Sequence, residues 1–178
     1  MTIENTKAQT KALNEALIKA AHNDDWASAK RVIAEGADIY YQDERGDAAS
    51  IIFALNGNCR AVLGLASMSK GTLELADNGG STPGICMAMQ NHGEAALRVA
   101  REHPHIIRHV NGRGNTMATW FAQYQNVQAV YALACLNGGV FAQEDKDGPI
   151  TWTRFKGHAD AETVRKLQDL ERRRRSNW

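Results

Sequence analysis

Four glycines, Gly46, Gly80, Gly114 and Gly148, stand 34 residues apart, and each closes a phrase that Asp or Asn opens. The phrases are Asp43-Glu44-Arg45-Gly46, Asp77-Asn78-Gly79-Gly80, Asn111-Gly112-Arg113-Gly114 and Asp145-Lys146-Asp147-Gly148. A fixed period of this length points to stacked copies of one supersecondary unit, each burying its apolar face against the next. The phrase itself spells a tight turn. A short Asp or Asn side chain accepts from the backbone two residues on, and Gly takes the positive φ at the close.

The segments after each turn are also alike. Two phrases run on into Ser81-Thr82-Pro83 and Asn115-Thr116-Met117. Thr caps a helix and Pro suits its first turn. Short apolar segments come next, at 51–55, 85–89 and 120–122. A second break falls at Gly57-Asn58, Asn91-His92-Gly93 and Gln125-Asn126, where Gly or Asn takes the left-handed helix stop. Longer amphipathic runs come after it, carrying Ala61, Val62 and Leu65, then Ala95, Leu97, Val99 and Ala100, then Val127, Val130 and Leu133. The unit is turn, short helix, turn, longer helix.

This unit resembles the ankyrin repeat. The closest matches are Asp77-x-x-Gly80-x-Thr82-Pro83 and the phrase Leu17-Ile18-Lys19-Ala20-Ala21, which leads to Gly36-Ala37-Asp38-Ile39. Gly138-Gly139 holds the place of that last tetrapeptide in a later unit. Tetratricopeptide repeats share the period but lack the Asp-x-x-Gly turn and carry aromatic and Ala signatures not found here. The resemblance covers about residues 10–170. It implies a mainly α fold, an ankyrin-repeat solenoid of helix-turn-helix units joined by β-hairpin-like turns. The repeats would span about 10–42, 43–76, 77–110, 111–144 and 145–171, after an N-terminal arm at 1–9 and before a basic tail at 172–178.

Departures from the family pattern have energetic consequences. Ala48-Ala49 and Ile150-Thr151 stand where the family has Thr-Pro, and Ser50/Ile51, Ile85, Thr119 and Thr153 stand where it has a helix histidine. Fewer bonds between repeats would make this array less stable than a consensus one. The ends suit caps. Residues 10–36 read as a helix pair with no preceding hairpin, divided at Asn23-Asp24-Asp25, whose acids favour the second helix's dipole. A last helix at about 160–172 would bury Ala161, Val164, Leu167 and Leu170 and turn a polar exterior outward.

Composition narrows the function classes. At 43% hydrophobic and 23% charged residues, the chain has enough apolar surface to fold. No apolar run approaches the roughly 18 residues of a membrane span, and 1–19 lacks the apolar stretch of a signal peptide. Three unpaired-looking cysteines, Cys59, Cys86 and Cys135, argue against a disulfide scaffold and for a reducing, cytoplasmic or otherwise intracellular setting, inside a host cell if the protein is an effector. The net charge of +1 is an average: without Arg172, Arg173, Arg174 and Arg175, 17 basic residues face 20 acidic ones, a balance of −3.

An array of this kind offers an extended concave surface and no catalytic cleft. Six residues after each turn glycine come Ile52, Cys86, Trp120 and Arg154; nine after come Leu55, Met89, Gln123 and Gly157; ten after come Asn56, Gln90, Tyr124 and His158. The resemblance implies that such positions, with turn residues, meet a target. Trp120 and Tyr124 share a helix face, with Arg113 and Arg154 near in register. Partner contact and packing on the neighbouring repeat are the two readings of Trp120. The expected partner-binding set is Trp120, Tyr124, Met89, Gln90, Gln123, Arg113, Arg154, His158 and Arg45.

Other constellations point elsewhere less well. His103-Pro104-His105-x-x-x-His109 falls in a loop with no Cys or acidic partner nearby, short of a zinc set. Gly79-Gly80-Ser81-Thr82-Pro83-Gly84 lacks the Lys-Ser/Thr ending of a phosphate loop. Cys86 and Cys135 read as buried, inert thiols. No acid–base pair assembles, so neither catalysis, cofactor, metal nor small-molecule substrate is expected. The reading is a non-catalytic protein-interaction module acting as adaptor, inhibitor or effector of bacterial or viral type. Its alternative is nucleic acid or an acidic partner held by the four terminal arginines.

Overall fold

Seven-residue helices begin at Ala49, Pro83 and Met117, and ten-residue helices begin at Cys59, Gly93 and Val127, so both series advance by one period of 34 residues. The computed structural model describes residues 3–145, 148–151, 155 and 159–176, of which 3–6, 145, 174 and 175 by backbone alone. It is mainly helical, as expected, and falls into two compact units, Met1–Pro83 and Gly84–Trp178.

In the first unit, α1 (Ile3–His22) and α2 (Trp26–Ala34) form the leading pair, and α3 (Ala49–Leu55) and α4 (Cys59–Met68) the second. α1 starts at Ile3 and so takes in most of the stretch read as an arm. It ends where the acids predict. Asp24 takes a φ of 54°, and Asp25 caps α2 by accepting from the Ser28 N–H at 3.0 Å. Hydrogen bonds from Ser28, side chain first and then backbone, hold the Asp25 carboxyl below its ordinary range. The N-cap of α3 is Ala48, which offers no side-chain hydrogen bond. Trp26 meets Phe53 edge-on at 5.9 Å. Its ring also covers Gly64: a Cβ there would collide with the Trp26 ring at Cζ2, so that turn of α4 takes glycine.

The second unit repeats the plan. α5 (Pro83–Met89, its first residue closing the unit before) and α6 (Gly93–Glu102) are followed by α7 (Met117–Gln123) and α8 (Val127–Leu136). Thr116 caps α7 in a reciprocal box, its Oγ1 accepting from Thr119 N at 3.2 Å while Thr119 Oγ1 accepts from Thr116 N at 2.7 Å. A two-stranded antiparallel ribbon, β1 (Glu144–Asp145) with β2 (Gly148–Pro149), precedes α9 (Ala161–Ser176). Short 3-10 turns close the longer helices at Lys70–Leu73, Pro104–Arg108 and Gly138–Ala142, again one period apart at their starts. The stretch around His103 and His109, read as an irregular loop, contains one of these turns.

The turns have the chemistry that their residues predict. Asp43 Oδ1 accepts from the N–H groups of Arg45 and Asp47, Asp77 Oδ1 from Gly79 and Ser81, and Asn111 Oδ1 from Arg113 and Asn115. Gly46, Gly80, Gly114 and Gly148 all have positive φ, between 77° and 102°. At the inner break the left-handed residues are Gly57, Asn91 and Gln125. Asn126 is therefore not the stop expected of it. Like Asn58, it caps the following helix, with Oδ1 accepting from Ala129 N at 3.1 Å, as Asn58 does from Ala61 N at 3.0 Å.

Burial follows the same register. Phe53 in the first unit and Met87, Phe121 and Phe155 in the second occupy one position of the repeat and are fully buried. So are Leu65, then Val99, Leu133 and Leu167, and Leu73, then Ile107, with Phe141 nearly so. Side-chain amides add bonds that span one period. Gln42 Nε2 donates to Ala76 O at 2.8 Å and Asn58 Nδ2 to Asp24 Oδ1 at 2.7 Å in the first unit. Gln143 Nε2 donates to Ile107 O at 3.1 Å and Asn126 Nδ2 to Asn91 Oδ1 at 2.7 Å in the second. Ser50 Oγ donates to Thr72 O at 2.8 Å, joining α3 to the 3-10 turn that follows α4.

Two expectations change at the C-terminal end. α9 continues to Ser176, so the arginines at 172–175 form its last turn and not a tail beyond it. Arg propagates a helix well, and cations favour the negative end of its dipole. Arg172 also lies 3.7 Å from Asp169, and Ser176 Oγ donates to Arg173 O at 3.0 Å. Within α9, Ala161 is exposed and Leu167 is the apolar residue fully buried. Lys146, Asp147, Thr153, Arg154, Gly157, His158 and Trp178 lie outside the described residues.

Candidate functional site

The three ladders differ in burial. Six residues past the turn glycine, Ile52 and Cys86 are buried in their respective units, whereas Trp120 is half-buried. Nine past, Leu55, Met89 and Gln123 are half-buried; ten past, Asn56, Gln90 and Tyr124 are exposed. Ile52 and Cys86 are thus core residues, because α3 and α5 bury the whole turn on which they lie. The surface carried by this ladder begins at Trp120.

In the Gly84–Trp178 unit, Trp120, Tyr124 and Met89 come together. α7 sets the two rings one turn apart, stacked with centroids 6.4 Å apart and planes 24° from parallel. Tyr124 is 47% exposed, and its hydroxyl donates to the carbonyl of Met89 at 2.7 Å. Asn56 makes the same backward reach in the first unit, with Nδ2 donating to Ala21 O at 3.2 Å. At Asn56 and Tyr124, position ten therefore ties a short helix to the helix one period before it, a role that its register alone does not suggest. Its sequence signal is a polar side chain recurring just after the short helix. Alone among the buried side-chain nitrogens and oxygens of the described residues, the Trp120 indole N–H makes no hydrogen bond.

Gln90 is exposed and Gln123 half-buried at the same end of α5 and α7. Arg113 projects from its turn into solvent. Arg45 does so from a turn of the Met1–Pro83 unit, and its carbonyl accepts from Asn78 N at 3.1 Å. Arg154 and His158 fall outside the described residues.

The turn of Arg45 also carries a titration effect. Burial raises the Asp47 carboxyl, helped by the negative charges of Asp43 and Asp77 and opposed by Arg45 and His22. A raised folded-state value means that ionising Asp47 disfavours the fold. Stability from this group is highest at acid pH and falls as pH rises from the unfolded value, about 3.9, through the raised one. Asp47→Asn should therefore stabilise the chain at pH 7, by less than about 1 kcal/mol at this half-exposed site, and the gain should vanish in urea melts at pH 3.

The alternative sites separate on geometry. The N–H groups of Gly79 and Ser81, which a phosphate would need, are taken by Asp77 Oδ1 at 2.8 and 2.7 Å. The rings of His103, His105 and His109 form an edge-to-face series at 6.0 and 6.1 Å, and no group of three His, Cys, Asp or Glu among the described residues is placed to hold a metal. Cys86 is buried as expected; Cys135 is exposed, contrary to expectation. α8 buries Val127, Ala129, Val130, Leu133 and Ala134, and position 135 turns off that face although its neighbours are apolar. There its thiol meets Tyr131, whose phenol is raised by that hydrogen bond first and by burial next.

Among the described residues no helix is long and apolar enough to cross a membrane. Compared with known proteins, the chain matches no protein-family model and no curated protein.

Proposed function

We propose that the chain is an ankyrin-repeat solenoid whose work is to hold a protein partner, without catalysis, on the surface around Trp120 and Tyr124. The observation that carries this reading is the Trp120 indole N–H, a buried donor with no acceptor among the described residues, stacked on a tyrosine that is 47% exposed. An unsatisfied buried donor is uncommon and calls for a reason, and Trp and Tyr are enriched among the residues that concentrate binding energy at interfaces. The period-spanning bonds of Gln42, Asn58, Asn126 and Gln143 support the repeat half of the reading. Met89, Gln90, Gln123 and Arg113 would surround the anchor, with Arg154, His158 and Arg45 assigned by register alone. Three free cysteines accord with a reducing interior as the working compartment.

Affinity capture from the native host with wild type, Trp120→Ala and Tyr124→Ala tests it. One partner should be retained by wild type and bound at least about tenfold more weakly by either variant, while circular dichroism and melting show both variants folded. Undiminished capture by folded Trp120→Ala would remove this surface from the account.

A second reading rests on α9, where Arg172 and Arg173 are exposed on a last turn of four arginines. Nucleic acid or an acidic surface could be held there. Binding would fall steeply with salt and disappear on deleting 172–178.

A further inference from the structure

Far from that surface in sequence, Lys7, Thr10, Lys11 and Asn14 of α1 and Tyr41 beyond α2 line an open cavity of about 320 Å³ in the Met1–Pro83 unit. Its most buried polar group is Asn14, 8% exposed. The backbone N–H of Asp38 donates to Asn14 Oδ1 at 2.7 Å. That bond sets the amide's orientation, because only its oxygen can accept. The amide nitrogen keeps two N–H donors, and neither meets an acceptor among the described residues. The rest of the lining comes from Tyr41, Thr10, Lys7 and Lys11 and is mostly apolar. Long cationic side chains of this kind lay their stems on apolar surface and keep their ammonium heads in water, and Lys11 lies 3.8 Å from Glu15 across an exposed edge.

We propose that this cavity binds the anion of a small aliphatic carboxylic acid. A carboxylate oxygen would accept from the Asn14 amide and lie under the lysine charges, and the short apolar body would cover the Tyr41 ring. The volume sits at the low end of ligand cavities, roughly 300–1,000 Å³, which favours a compact acid. A glutamate side chain on a peptide presents the same carboxylate and is the competing source. The proposal stands independently of the Trp120 surface.

The test is a titration of the ¹⁵N-labelled full chain, followed by amide shifts, with 4-methylpentanoate, its neutral amide and N-acetylglutamate amide. The acid should shift the Asn14 side-chain pair and the Asp38 and Tyr41 backbone signals saturably, and the neutral amide should bind at least tenfold more weakly. Asn14→Asp keeps an acceptor for Asp38 N–H while replacing the donor by a carboxylate oxygen, so it should weaken the acid at least tenfold while circular dichroism shows the chain still folded. Should that variant unfold, Lys7→Gln provides the second arm, with an expected threefold loss. The proposal is overturned by no saturable shift, by equal binding of acid and neutral amide, by an unchanged affinity in folded Asn14→Asp, or in Lys7→Gln where Asn14→Asp unfolds. Tighter binding of N-acetylglutamate amide than of the free acid also overturns it and identifies the peptide source.

Discussion

Phe121→Ala is expected to lower stability by about 3–5 kcal/mol. Phe121 is 0% exposed on α7, at the repeat position that Met87 and Phe155 also fill in the same unit. Removing the ring forfeits its transfer free energy and leaves a void that seven-residue α7 has little freedom to close. The energetics of a stacked repeat add a second signature. Each unit is stabilised mainly by its neighbours, so a weakened one uncouples the units beyond it. Urea unfolding should therefore show an earlier midpoint and either a smaller slope or a separate first transition. A loss below about 1 kcal/mol with the slope unchanged, the size of an ordinary surface substitution, would mean that Phe121 is not a core residue.

Gly46→Ala should cost about 2–5 kcal/mol, more than backbone strain alone explains. Gly46 has a φ of 77°, where an L side chain costs roughly 1–2 kcal/mol in backbone strain. A Cβ there would also lie 2.8 Å from the backbone N of Asn78, in the equivalent turn one period on. Asn78 is held there by two bonds, its N–H to Arg45 O and its side-chain amide to Glu44 O, each 3.1 Å. Backbone cannot swing aside as a long side chain would, and overpacking of this kind costs about 1–3 kcal/mol more. Urea melts of the variant should show both losses. A loss no larger than the roughly 1–2 kcal/mol of strain would show that this turn does not pack on the next.

Much of this architecture is legible in the amino-acid sequence. An Asp or Asn three residues ahead of each glycine determines a turn by local chemistry alone, and 34-residue spacing carries it through the chain. The helix starts at Met117, Trp26 and Ala161 follow from caps and acids of the same local kind. The features that are not legible depend on facing. The run 129–136 is apolar nearly all round, so nothing in it marks Cys135 as exposed. Ile52 and Cys86 share a register position with Trp120, yet a fully buried helix turn and a half-buried one give the same periodic pattern. The arginines at 172–175 read equally as helix or tail, because the same residues propagate a helix and solvate an end. Tyr124 as a tie to Met89, and Asn126 as both cap and tie, depend on distances between copies that no single copy contains.

Removing residues 77–110, one whole period, tests the repeat architecture most directly. In the shortened chain Ala76 is followed by Asn111, the register equivalent of Asp77, so every turn, cap and buried ladder position keeps its phase. A stack of equivalent units should stay helical per residue by circular dichroism, and should unfold cooperatively at a lower midpoint, as expected for fewer neighbour interfaces. Loss of the helical signal or of cooperative unfolding, the outcome for a single non-repeating core that has lost its middle, would contradict it.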